Sequence, residues 1–160
     1  MDFLPGRRRL FPRPLAGFGR RHLNFMLIEP IVAFIDERNV RLCAPWQIQT
    51  AAGLLICQPG AESDGASIPE LFWSIPGYNP FEGDTLPAAF AHDQLYGGEL
   101  CDRATADGVL FDLLRANGVS WLRANSYWLA VRAFGGLTWS NHTPASIATN
   151  RACAILVKTP

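Results

Sequence analysis

The chain has 160 residues, enough for one hydrophobic core and too few for two ordinary domains. Hydrophobic residues make up 49% of it, yet no stretch approaches about 18 uninterrupted apolar positions, so the sequence predicts no transmembrane helix. The four cysteines, at positions 43, 57, 101 and 153, form no C-x-x-C pair and no zinc-finger spacing, which predicts reduced thiols in a protein made in a cytosol.

The formal net charge of zero conceals a basic N-terminal arm, residues 1–22. The arm contains six arginines and one acid, Asp2, which gives it a net charge of +5, and one globular domain with a net charge of −5 is expected over residues 23–160. The arm lacks the apolar core and cleavage site of a signal peptide. It suits contact with an acidic neighbouring subunit or anionic lipid, with nucleic acid less favoured, or it is a solvated tail.

The β part of the domain is predicted over about residues 23–60. Residues 23–35 form an apolar run broken by a Glu-Pro pair, which fits two short strands meeting at a turn. Apolar and polar residues alternate towards the end of residues 40–50, the pattern of a half-buried strand. Residues 54–57 are a further strand candidate, so a small antiparallel sheet is expected.

Helix signals follow over about residues 86–136 and predict a bundle of about three helices. The first helix begins near Pro87 and ends at two glycines, positions 97 and 98. The second has Asp102 as its N-cap and ends at an Asn-Gly pair, positions 117 and 118. The predicted fold class is therefore α+β, with a small N-terminal antiparallel β-sheet packed on the C-terminal helices.

The third helix is expected to begin after Ser120 and to end at two glycines, positions 135 and 136. Its apolar residues are spread around the helix, which predicts burial on more than one side. The tail from Thr143 suits either a last helix or a strand. Residues 77–85 are rich in Gly, Pro and Asn, which predicts a loop that acts as a lid or a contact surface.

Residues 64–107 contain the residue types of a metal-assisted hydrolytic site. The stretch reads D-G-A-S-I-P at 64–69, F-W at 72 and 73, A-H-D-Q-L-Y at 91–96 and D-R-A-T-A-D at 102–107. Asp64 and Asp93 offer anionic oxygens and the turn at Gly65 offers carbonyls, a set that suits Ca²⁺ better than Zn²⁺. These residue types also occur in ordinary turns, caps and helix faces.

His92 is the candidate general base of this site. On a helix, its neighbour Asp93 points about 100° away from it, so one of the two side chains can face a substrate while the other faces a metal ion. Asp107, on the next helix, is spaced so that its carboxylate can reach the second ring nitrogen of His92 and fix the tautomer. Tyr96 lies near the same face as His92, where its hydroxyl can bond a carboxylate.

Together these motifs resemble an uncharacterised domain family of bacteriophages and prophages. The resemblance covers roughly residues 40–140 and includes the run V-R-A-F-G-G at 131–136. It implies a virion protein, associated with the tail, baseplate or tail tip and assembled in the host cytoplasm. Other virion subunits are then the expected partners, with the basic arm as a contact.

The same motifs are similar, more distantly, to prokaryotic phospholipase A2. That similarity implies that Asp64, with the Gly65 turn, and Asp93 ligate Ca²⁺. It also implies that His92 activates a water molecule for attack on a lipid ester, and that Asp107 orients the imidazole.

Two departures from the phospholipase pattern concern the disulfide and the spacing. Ala66 and Ala89 stand where those enzymes place a disulfide. The interval from His92 to Asp107 is shorter, which makes Asp102 the alternative partner. Arg103 is predicted, with Tyr96 and Asp102, to support the site.

Two classes of function follow, of which the first is preferred. One is a virion structural protein whose phospholipase-like His-Asp site binds a metal for stability or is vestigial. The other is a Ca²⁺-dependent phospholipase or esterase that acts on membrane lipid of the bacterial envelope during entry. A peptidoglycan-directed hydrolase is a weaker alternative. An enzyme needs His92 within reach of solvent, whereas a structural protein can bury it against Tyr96.

Overall fold

A computed structural model describes residues 29–65, 79, 81 and 83–158. Its elements are β1 (Val32–Phe34), β2 (Val40–Leu42), β3 (Trp46–Thr50), β4 (Gly53–Cys57), β5 (Glu62–Ser63), α1 (Leu86–Gly97), α2 (Arg103–Ala116), α3 (Trp121–Ser140), α4 (Pro144–Cys153) and β6 (Ala154–Val157). Strands thus dominate the first part and helices the second, which confirms the predicted α+β class. The basic arm, residues 23–28 of the first strand prediction and part of the 77–85 loop lie outside the described residues.

The strands form two antiparallel sheets of three strands each, in the orders β1-β2-β5 and β3-β4-β6. The strand pattern of residues 40–50 is divided between them, because Pro45 between β2 and β3 has no amide hydrogen for a ladder. The predicted alternation is confirmed in β3, where Trp46, Ile48 and Thr50 are buried and the residues between them are exposed.

The second sheet is completed by the C-terminal strand β6, which pairs with β4. The tail after Thr143 was predicted to be either a helix or a strand, and it contains one of each, α4 followed by β6. Gly53 opens β4 with a φ of +135°, and a Cβ there would lie 2.4 Å from the carbonyl oxygen of Val157. Only glycine allows the two strands to approach this closely without displacement.

Helix α1 is the centre of the molecule and contacts α2, α4, β5 and β6. Ten of its twelve residues are buried, and they are apolar around most of the helix, as expected for a helix with a neighbour on every side. Phe90 packs edge-on against Trp46 of the second sheet at a centroid distance of 5.7 Å. Gln94 donates to the carbonyl of Glu62 at 2.6 Å, which connects α1 to the first sheet.

The predicted starts of α2 and α3 are confirmed by their N-caps. The carboxylate of Asp102 accepts the Thr105 amide at 3.0 Å, and the hydroxyl of Ser120 accepts the Arg123 amide at 3.3 Å. Gly118, with a φ of +86°, follows the end of α2. These local signals set the order and position of the two helices that carry most of the site.

Two predictions about α3 are wrong. The helix does not end at the glycines of positions 135 and 136 but continues to Ser140. Gly135 lies against the Tyr96 hydroxyl, so this glycine serves close packing within the helix, whereas Gly136 lies at a longer distance from the end of the Arg103 side chain. The helix is also buried on one side only, because Leu122 and Leu129 on its other side are 70% and 51% exposed.

Two predictions from composition concern membranes and thiols. Across the described ranges, no helix combines the length and apolar character needed to span a membrane. All four cysteines are free, as predicted, and among them Cys57 is buried and Cys43 exposed.

Candidate functional site

Asp93 is held at one side of the site by the turn that follows β5. Its Oδ2 accepts the Ser63 hydroxyl at 2.5 Å and the Gly65 amide at 3.1 Å. Gly65 has a φ of +85°, a conformation that favours glycine, which explains the Asp-Gly pair in the sequence. The turn therefore presents donors to a carboxylate of α1, and it brings Asp64 and Asp93 to one cavity.

His92 points into the interior, where it meets Asp107. Its Nε2 lies 2.9 Å from Oδ1 of Asp107, so the contact that the sequence spacing predicts is present. Its Nδ1 lies 3.5 Å from Oδ1 of Asp93 and has no hydrogen-bond partner within the described part of the chain. The residue is only 2% exposed. One buried imidazole thus lies between two carboxylates.

Two arginines complete the surroundings of Asp107. Arg132 of α3 donates to its Oδ2 at 3.0 Å, and Nε of Arg103 lies 3.8 Å from the same oxygen. Arg103 also donates to the carbonyls of Val131 and Arg132, at 3.0 and 2.6 Å. Asp93, His92, Asp107, Arg132 and Arg103 therefore form one connected set of opposite charges, referred to below as the His92 network.

The pKa of His92 is set by opposing effects. Burial lowers it, because a charged ring is poorly solvated in the interior. The hydrogen bond to Asp107 and the nearby Asp93 carboxylate outweigh burial and raise the pKa of His92 from 6.5 to about 9. At neutral pH the ring is therefore an imidazolium, which donates protons and cannot accept one as a general base.

Tyr96 covers one face of the imidazole. Its ring stacks on His92 with a centroid distance of 5.0 Å and an interplanar angle of 29°. The Tyr96 hydroxyl donates to the backbone carbonyl of Gly135. The prediction that this hydroxyl bonds a carboxylate is therefore wrong, because the close packing of a glycine in α3 places a backbone carbonyl against it.

A cavity of about 220 Å³ lies beside Asp93. Most of the residues that line it are polar, and they come from β5 and the turn after it, the end of α1, the end of α3 and the last helix, with Asn39 before β2. The lining includes Glu62, Ser63, Asp64, Asp93, Tyr96, Thr138, His142, Asn39 and Asn150. His92 is not part of this lining, whereas its neighbours Asp93 and Tyr96 are.

The oxygen atoms at this cavity are of the kind that Ca²⁺ binds, namely carboxylates, amide carbonyls and hydroxyls. Asp64 and Asp93 are the two predicted ligands, and both face it. Within the described ranges, however, no three His, Cys, Asp or Glu side chains are grouped closely enough to hold a metal ion. The donor chemistry fits a hard cation, while the arrangement is not a completed coordination shell.

The predicted residues thus fall into two groups. Asp64, Gly65, Asp93, His92, Tyr96, Asp107 and Arg103 come together at the site, whereas Asp102 is an exposed helix cap and not a partner of His92. Arg132 and Ser63 were missed by sequence reasoning. Both lie far along the chain from the acids that they contact, and only the packing of α3 and β5 against α1 and α2 brings them together.

The chain is thus a small α+β domain in which a buried His92–Asp107 pair, bound by Arg132, lies beside a cavity lined mostly by polar residues. The chain belongs to the family described as "Protein of unknown function (DUF1353)", whose pattern matches residues 40–131. This match agrees with the predicted resemblance to an uncharacterised domain family. It includes His92 and Asp107 and stops one residue before Arg132.

The chain is also similar to a protein of Sinorhizobium fredii called "Uncharacterized protein y4jT". The two are 42% identical over 78 residues, which are 48% of this chain and 22% of the relative. The chain therefore spans about a fifth of that protein's length. No solved structure matches the chain significantly.

Proposed function

We propose that this domain is a structural component of a bacteriophage virion, associated with the tail, baseplate or tail tip. In it the His92 network is an ionic connection, centred on the buried His92–Asp107 pair, that holds three helices and the β5 turn together. The observation that carries the proposal is the burial of His92 between Asp93 and Asp107, with 2% exposure. A general base must be within hydrogen-bond reach of its substrate, and His92 does not line the cavity.

The electrostatics of the network support this structural role. The imidazolium is flanked by the carboxylates of Asp93 and Asp107. The charge of Asp107 is also neutralised by Arg132. Buried charges are tolerated when each is paired and hydrogen-bonded. The network satisfies that condition for Asp107, which is fully buried and has a basic group at each oxygen.

The surface supports an assembly role as well. Large apolar side chains are exposed on α3 and around β1, where Ile31 and Phe34 are 66% and 64% exposed. Apolar surface of this kind marks contact sites in soluble proteins. In this proposal the basic arm, residues 1–22, contacts neighbouring virion subunits.

Purified particles test the virion role. Virions from the phage or induced prophage that carries the gene are banded on a density gradient, and the protein is quantified by mass spectrometry. A fixed copy number per particle that survives high-salt washing is the expected result. Its absence from intact particles, with abundant protein in the lysate, would contradict the proposal.

A Ca²⁺-dependent ester hydrolase is the second candidate, favoured by the position of Asp64 and Asp93 at one cavity beside the His92–Asp107 pair. Asp64, Asp93 and the Gly65 turn would hold the ion, which when bound supplies positive charge to stabilise an oxyanion. His92 would have to lose its proton and become exposed. This candidate therefore requires a rearrangement of Asp93.

Calorimetric titration with CaCl₂ tests whether the ion that the hydrolase requires is bound. The structural role requires no calcium, whereas the hydrolase requires binding that Asp64→Asn and Asp93→Asn abolish. Glu37→Gln is the matched control, because it removes one exposed carboxylate away from the cavity. Binding that persists in Asp64→Asn would count against the proposed calcium ligands.

A further inference from the structure

One face of α3 is apolar and exposed along most of its length. Leu122 and Leu137, near the two ends, are 70% and 76% exposed, and Leu129 between them is 51% exposed. Ser126 and Ala133 occupy the positions in between. The five residues follow one another at spacings of four, three, four and four, so they lie on one side of the helix and are called the α3 stripe below.

The stripe has the same order of large and small residues in both directions. Reversal about the midpoint of the stripe, between Leu129 and Ala130, exchanges Leu122 with Leu137 and Ser126 with Ala133. Two-fold symmetric interfaces require a patch that is complementary to itself. Two antiparallel copies of this helix meet that requirement, with leucine opposite leucine at the ends and small residues opposite each other between them.

The apolar area available is close to what a stable dimer needs. Trp121 and Phe134 flank the stripe and are 50% and 52% exposed. With the three leucines, they expose on the order of 600 Å² of side-chain surface, taking about 200 Å² for one large side chain. A standard interface buries roughly 800 Å² per partner. The stripe and its flanks therefore supply most of one such interface.

Charge does not oppose this pairing. Helix α3 contains no Asp or Glu, and its two arginines are committed within the chain. Arg123 forms an ion pair with Asp84 at 2.8 Å, and Arg132 with Asp107 at 3.0 Å. The α3 stripe itself is uncharged, so it offers nothing to an acidic partner, whereas a second uncharged stripe fits it.

We propose that the chain forms a two-fold symmetric homodimer through the α3 stripe, with the two helices antiparallel. The proposal does not depend on the role of His92 or on a virion origin, so each can fail without the other. The wild-type chain is expected to have twice the mass of one chain in light scattering coupled to size exclusion, and to dissociate on dilution.

Charged variants test the register of the dimer. Leu122→Glu and Leu137→Lys are each expected to give a folded monomer, because these exposed leucines contribute little to the core. The double variant places each Glu opposite a Lys of the other copy and is expected to restore the dimer. Ile31→Glu is the control and leaves the mass unchanged, since Ile31 is 66% exposed but lies outside α3.

Three results would overturn the proposal. The first is a wild-type chain that stays monomeric at its highest soluble concentration. A monomer whose α3 stripe binds a different virion protein would overturn the proposal in the same way. The second is dissociation by Ile31→Glu. The third is a double variant that remains monomeric although circular dichroism shows it to be folded.

Discussion

His92 Nε2 and Asp107 Oδ1 lie 2.9 Å apart in the interior, on α1 and α2 respectively, and both side chains are almost completely removed from solvent. Because α1 and α2 are joined by a short connection, this contact fixes how the two helices pack. The other oxygen of Asp107 is bound by Arg132, which extends the same connection to α3. The His92–Asp107 pair is therefore expected to contribute strongly to the stability of the packing among α1, α2 and α3.

Asp107→Asn is expected to destabilise the fold by about 3–5 kcal/mol, because it leaves the buried imidazolium and Arg132 without their shared carboxylate. Urea unfolding followed by circular dichroism measures the change. Asp102→Asn is the matched control at the start of the same helix and should cost almost nothing, since Asn caps helices as well as Asp does. Equal effects of the two variants would contradict a stabilising role of Asp107.

The stability of the protein is expected to fall as the pH rises from about 6.5 to 9. The pKa of His92 is raised to about 9 in the folded state, against about 6.5 when unfolded. Its contribution is therefore fully present below the unfolded pKa and is lost as the pH rises through the folded pKa. Because a tenfold change in proton affinity corresponds to about 1.4 kcal/mol, the expected loss is a few kcal/mol.

His92→Gln is the control for that pH dependence. Burial, with the neighbouring Cys153, raises the pKa of Cys57 to about 12, and burial raises the pKa of Cys101 to about 11. Because both thiols ionise more readily in the unfolded chain, they also make the free energy of unfolding fall at alkaline pH. The Gln variant keeps their contribution and removes only that of His92. A wild-type slope between pH 6.5 and 8 that persists unchanged in His92→Gln would show that His92 is not its source.

Gly53→Ala is expected to weaken the pairing of β4 with β6. The added Cβ would lie 2.4 Å from the Val157 carbonyl oxygen, and the backbone has a φ of +135°. Gly60→Ala is the control, because Gly60 also has a positive φ, +97°, but has nothing within 4 Å of the added atom. Thermal unfolding should show a clearly larger fall in Tm for Gly53→Ala than for Gly60→Ala. Equal falls would mean that the close approach of β4 to β6 at Gly53 does not contribute to stability.

Gly135→Ala and Gly136→Ala should have opposite effects although they are adjacent. At Gly135 a Cβ would lie 2.8 Å from the hydroxyl of Tyr96, which is buried and stacked on His92. At Gly136 it would lie 3.3 Å from Nη1 of Arg103, at the end of a long, partly exposed side chain that has room to shift by a few tenths of an ångström. Gly136→Ala then gains up to about 1 kcal/mol of helix propensity, whereas Gly135→Ala loses stability. Chemical denaturation of both variants gives the comparison, and a gain in both would contradict the close packing at Gly135.

Local signals in the sequence were sufficient to predict the helix starts and the α+β class. Asp102 and Ser120 accept amides within their own helices, so their effect depends on neighbouring residues alone. The continuation of α3 past Gly135 and the pairing of β6 with β4 depend on contacts with distant segments. The pattern of neighbouring residues in the sequence does not indicate such long-range contacts.

The site divides in the same way. Residues 92 and 107 lie on consecutive helices, so their spacing indicated that they could meet. Arg132 and Ser63 join the acids from elements that only the tertiary packing places nearby. The protonation of His92 was also beyond the sequence, because it results from two carboxylates that the fold brings to the buried ring and that outweigh the effect of burial on its pKa. That environment supports the structural role, which the sequence motifs already favoured over catalysis.

Hydrolysis of phospholipid vesicles decides whether the His92 site is structural or catalytic. Fatty-acid release is measured with Ca²⁺ and with chelator for the wild type, His92→Gln and Asp64→Asn, beside a phospholipase that is active on the same vesicles. If the site is structural, none of the three proteins releases fatty acid above background in either condition. Calcium-dependent release by the wild type that both substitutions abolish would contradict it and establish the hydrolase.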